Sequence, residues 1–148
     1  MFVWIESTAL GLWVSTSLWA YPFLLSVHIV GLAVVAGIFS LRDLHLIGLI
    51  RALSPTDFFN LRGVAYAGFT LNAASGFLLF SSQASILISN IPFLLKIFFL
   101  SIAMILAIFI HKQINNEGNM TLPKISAFIS FTCWLGAIVA GRLIAYIF

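Results

Sequence analysis

The chain has 148 residues, 62% hydrophobic and 7% charged, with 7 Lys and Arg against 4 Asp and Glu. Soluble domains carry about 25% charged residues, so a soluble fold could not cover this much apolar surface. The slight positive excess has no basic patches interleaved with aromatics, which points away from nucleic acid, and one cysteine excludes an internal disulfide.

Residues 1–18 hold Trp4 and Trp13 among Glu6, Ser7, Thr8, Ser15, Thr16 and Ser17, with Trp19 just beyond. Tryptophan favours the membrane interface, so this segment is expected as a short interfacial helix that turns at Tyr21-Pro22 into the first span. No Lys or Arg precedes Arg42, so the positive start of a removable signal peptide is missing and the segment is expected to stay.

A spanning helix needs about 20 mostly apolar residues. Four stretches qualify, at about 19–41, 63–82, 92–111 and 125–147. Pro92 suits a first helical turn. Asn115-Asn116-Glu117-Gly118-Asn119 is a turn signal between the last two spans. The expected fold is all-α, an integral membrane four-helix bundle in one domain. Small residues form stripes, Gly68, Asn72, Ser75 and Gly76 on the second span and Ser126, Ser130, Cys133, Ala137 and Gly141 on the fourth. Such stripes let helices approach closely in lipid. Asn72, at mid-span, is expected to bond across to another helix, and Cys133 to pack as a small apolar residue.

Cytoplasmic connectors carry an excess of Lys and Arg. Arg42, Arg51 and Arg62 follow the first span, and Lys112 and Lys124 follow the third. Both termini are therefore expected to face away from the cytoplasm. The bilayer is the implied partner, together with other copies of the chain or other membrane subunits.

Several of these segments have a recognisable look. Tyr21-Pro22 precedes His28-x-x-Gly31, then Asp43-Leu44-His45-Leu46 and Gly48; later come GFTLNAASGFLLF at 68–80, FLLKIFFL at 93–100 and GRLIAY at 141–146. As a set they resemble a family of small bacterial inner-membrane proteins of unknown function. The likeness covers nearly the whole chain and implies a four-helix fold and a bacterial inner membrane, without an established activity. The family pattern carries Arg where this chain has His45. More loosely, the layout is similar to copper-resistance D-like proteins and to haem-carrying four-helix membrane cytochromes.

Ionisable residues inside a membrane are costly and face the protein interior or a water-filled cavity. His28, Lys96 and Arg142 qualify. At about 1.5 Å per residue, His28 lies roughly 10–14 Å below the outer face, Lys96 about 6 Å and Arg142 about 9 Å, with Glu6 able to reach the same level. This suggests a b-type haem site or an electron-transfer subunit. His28 would bind the iron, Lys96 and Arg142 would pair with the propionates, and Gly31 would leave room for the flat ring. The bland alternative has His28 bonding across the bundle while the two cations reach for headgroups. His111 lies about 28 Å along the third span from Pro92, too far to share an iron with His28. A weaker alternative is a divalent metal on Asp43, His45 and His111. Nucleophilic and phosphate-binding motifs are absent. The competing functional class is a cofactor-free structural or accessory subunit of a larger membrane complex.

Overall fold

The computed structural model describes residues 2–116, 119 and 121–147. They form α1 (Val3–Glu6), α2 (Ala9–Thr16), α3 (Ala20–Ile47), α4 (Pro55–Ser82), α5 (Ala84–Leu87), α6 (Ile91–Asn115) and α7 (Thr121–Leu143), with no strand among the described residues. Among the described residues four helices are long and apolar enough to cross a membrane: Ala20–Ile47, Thr56–Ser82, Ile91–Asn115 and Thr121–Leu143. The chain therefore has the expected all-α membrane fold.

The boundaries differ from expectation at the charged ends. α3 continues past Leu41 to Ile47, and α4 starts at Pro55 rather than near Gly63. Each has 28 residues, about 42 Å of helix, against a hydrocarbon core of about 30 Å. The segment between Arg42 and Arg62 is thus mostly helix, because nothing in Arg42 to Ile47 breaks one. What stops α3 is Gly48. At φ +93° it is the left-handed residue of a Schellman ending, its N–H donating to the His45 carbonyl (3.0 Å) and that of Leu49 to the Leu44 carbonyl (3.0 Å). α4 restarts with Ser54 as its cap and Pro55 in first position. The Asp57 carboxylate reaches back to accept from the Ser54 N–H (2.8 Å) and hydroxyl (2.9 Å). α6 runs on to Asn115, and α7 starts at Thr121, with Pro123 in its first turn, and ends at Leu143 instead of 147. Glu117 and Gly118 of the expected turn lie outside the described residues.

The N-terminal segment is two short helices, not one. Thr8 caps α2 by accepting from the Gly11 N–H (3.2 Å), which separates it from α1.

The described chain divides into two compact units. The first comprises Met1–Val35 and Gly63–Asn90. In it α2 is docked closely. A Cβ on Gly11 would stand 2.8 Å from the Ser81 carbonyl, and Val14 is fully buried while Trp4 and Trp13 stay exposed. The second comprises Ala36–Arg62 and Ile91–Phe148. Here α6 and α7 pack along each other, burying Ala103, Ala107 and Ile110 with Ala127, Trp134, Ala137 and Ala140. In both units many large apolar side chains are exposed, among them Phe23, Phe77, Phe98, Ile105 and Phe128. Such faces suit contact with lipid tails, and the small buried residues let helices meet backbone to backbone.

Candidate functional site

In the first unit, His28 on α3 faces Asn72 and Ser75 on α4. Its Nδ1 lies 2.9 Å from the Asn72 carbonyl, while Asn72 Nδ2 donates to the His28 carbonyl at 2.8 Å. A carbonyl only accepts, so Nδ1 carries a proton in this contact. The two side chains thus bond each other's backbone, a reciprocal clasp between the helices. Ser75 Oγ donates to the Leu71 carbonyl (2.6 Å) and lies 3.3 Å from Nδ1. The expectation for Asn72 holds, and His28 does bond across helices.

Around the clasp the backbones touch. A Cβ on Gly31 would lie 2.8 Å from the Asn72 nitrogen and 2.9 Å from the Gly68 carbonyl oxygen; one on Gly68 would lie 2.8 Å from Val34 Cγ1. The His28 ring is seated against Gly76, where a Cβ would come within 2.9 Å of Cε1. Gly31 therefore leaves no room for a flat ring. The space expected beside it is filled by the backbone of α4, and Gly31 serves the helix contact instead.

Lys96 and Arg142 belong to the second unit. Lys96 is buried on α6, its side chain passing over Gly141 of α7, with Nζ 3.8 Å from where a Cβ would stand. Arg142, the next residue, is exposed. The two cations stand at a similar level of the α6–α7 pair, as their spacing suggests, but only Lys96 is turned inward.

The metal alternative is not assembled. Among the described residues no group of three or more His, Cys, Asp or Glu side chains could hold a metal ion. Asp43 accepts from Arg42 at Nη2 (2.6 Å) and Nε (3.1 Å) through Oδ1, His45 Nδ1 turns to the Ile50 carbonyl (2.9 Å), and His111 is exposed. Two residues apart on one helix, Asp43 and His45 point to different sides.

A second polar centre was not legible as such. Asp43 is completely buried, and Arg42 spans the contact between α3 and its neighbours. Its guanidinium covers the Phe39 ring at 5.0 Å and donates from Nη1 to the Ala107 carbonyl of α6 at 3.3 Å. Phe39 stacks on Trp134 of α7, centroids 5.6 Å apart and planes within 3°. Read as a polar connector, this segment hides the pattern; the Phe39–Asp43 interval of one helical turn was the available signal.

Outside the spans, Glu6 Oε1 accepts from the Ser85 hydroxyl (2.6 Å) and from its N–H (2.7 Å), tying α1 to α5. These two bonds hold the Glu6 carboxyl below the usual carboxylate range.

No family model, curated protein or solved structure matches this chain.

Proposed function

We propose that this chain is a small, membrane-embedded accessory subunit that works by helix packing, in a bacterial inner membrane and with both termini away from the cytoplasm. The observation that carries the reading is the α3–α4 clasp. The histidine that could have bound a cofactor is engaged with Asn72, and the glycine beside it is flush with a neighbouring backbone. A buried polar residue used this way specifies helix pairing. The apolar exteriors support residence among lipids, other subunits or further copies of the chain. The Lys and Arg distribution supports the orientation, and the family resemblance supports the type of membrane.

The haem reading keeps one favourable observation. Metal-bound imidazoles commonly donate their other N–H to a carbonyl, as His28 Nδ1 does. One experiment separates the two. Protein purified in mild detergent from haem-supplied cells is expected to be colourless, and to appear in native mass spectrometry above the 16.3 kDa of a single chain. A Soret band that His28→Ala abolishes would overturn the accessory reading.

A further inference from the structure

An open groove of about 380 Å³ runs along the α6–α7 pair of the second unit. Leu95 and Phe99 of α6 line it with Leu135, Gly136, Val139 and Leu143 of α7, and its wall is almost wholly apolar. Gly136 lets the two helices close its floor. A Cβ there would stand 3.0 Å from Phe99 Cδ2, so the phenyl ring lies against the α7 backbone. Along α7 the groove extends from Thr132 to Leu143, about 16 Å of helix. One leaflet of a hydrocarbon core about 30 Å thick is about as deep.

One end of the groove is basic. Arg142 is exposed, three residues after Val139 and seven after Leu135, so it continues their side of α7 by one turn. It is the last residue but one of that helix. Lys96 follows Leu95 on α6, and its side chain passes over Gly141, next to Arg142. The sequences of α6 and α7 contain no Asp or Glu.

An apolar groove in a membrane can receive a helix or an acyl chain. Helices meet in lipid through small residues. Here the rims are Leu95, Leu135, Val139 and Leu143, bulky side chains that are all exposed. A flexible acyl chain can follow such a wall where a helix backbone could not approach it. The chain of a phospholipid also ends in a phosphate at the level of the headgroups, and Arg142 stands at that end. A guanidinium pairs with phosphate through two parallel hydrogen bonds.

We propose that this groove binds one anionic phospholipid, an acyl chain lying along Phe99 and Gly136 and the phosphate held by Arg142, with Lys96 at the same level. The lipid belongs to the leaflet that receives the C-terminal end of α7. The inference does not rest on the accessory reading, because a bound lipid adds a lipid mass and a partner or second copy adds a protein mass.

The test is native mass spectrometry of the full chain, reconstituted in vesicles of equal phosphatidylglycerol and phosphatidylethanolamine and released in mild detergent. The expected result is one retained phospholipid per chain, with phosphatidylglycerol favoured about fivefold, the scale of one cation at a membrane surface. Arg142→Gln should abolish that preference. Arg62→Gln, which removes an exposed cation of α4, should leave it unchanged. Val139→Trp, which fills the groove from an exposed position, should lower retention of both lipids. Circular dichroism equal to that of the wild type checks that each variant is folded. A wild type that retains no phospholipid, or retains the two equally, would overturn the site. So would a preference that survives Arg142→Gln, or a lipid-free dimer in which a second copy covers the groove.

Discussion

Gly31→Ala is the sharpest perturbation of the α3–α4 clasp. The added methyl would stand 2.8 Å from the Asn72 nitrogen and 2.9 Å from the Gly68 oxygen, both backbone atoms that cannot rotate away. Reaching ordinary contact at 3.4 Å requires the helices to part by about 0.6 Å. The same movement would stretch the His28–Asn72 bonds from 2.9 and 2.8 Å to roughly 3.5 and 3.4 Å, beyond the usual hydrogen-bonding range. Overpacking costs about 1–3 kcal/mol, and each interhelical bond lost in a membrane adds about 0.6 kcal/mol. The expected destabilisation is about 2–4 kcal/mol. The control is Gly37→Ala on the same helix, where the methyl meets nothing within 4 Å. It should be neutral or stabilise by up to about 1 kcal/mol, because alanine is the better helix former. Reversible unfolding in bicelles, with both variants measured side by side, reads the difference. Equal stabilities would refute the close approach of α3 and α4, and with it the structural role given to His28.

Other expectations follow from single contacts. Gly48→Ala forces a Cβ into a φ of +93° and should cost about 1–2 kcal/mol in the same unfolding assay, without altering span topology. Arg42→Met strands a fully buried carboxylate and should destabilise by about 3 kcal/mol or more, whereas Arg42→Met combined with Asp43→Leu should recover most of that. Glu6 has its carboxyl lowered by Ser85, so its tie contributes above the unfolded carboxylate value near 4 and is lost as pH falls through the lower folded value. Protection of the Ser85 amide, measured as exchange relative to its intrinsic rate at each pH, should therefore fall on acidification below the usual carboxylate range, and already at neutral pH in Glu6→Gln. Reporter fusions at Asn116 and after Phe148 should place the first in the cytoplasm and the second outside; the reverse result would invert the proposed orientation.

Length and hydropathy made the four spans legible, because a run of about 20 apolar residues has few other uses. The small-residue stripes were equally readable. Gly68, Asn72 and Ser75 are buried on α4, as are Ser126, Ser130, Cys133 and Ala137 on α7. The helix ends were not legible. Charged residues near a membrane surface suggest a connector, yet Arg42 and Asp43 neutralise each other and let α3 continue to the glycine that can end it. The partner of His28 was not legible for a related reason. Spacing shows that an imidazole lies inside the bilayer, but only the partner across the contact shows how it is used, and Asn72 is 44 residues away. A glycine one turn on is compatible with space for a ring or with the absence of any space, and the chain alone does not distinguish them.

The acidic residues give a separate argument for the accessory reading. Acid–base chemistry needs a carboxyl that can gain and lose a proton at a reacting group. Of the 4 acidic residues, the three described ones are each committed to the frame. Glu6 holds the start of α5, Asp57 holds the start of α4, and Asp43 holds Arg42 at the seam of α3 with α6 and α7. Each sits at a helix end or a helix contact, where a negative charge meets backbone N–H groups or a guanidinium. Proton release at such a place would be coupled to helix ends and packing before any reaction. The described carboxylates thus serve helix ends and helix contacts, a use in keeping with the accessory role proposed above.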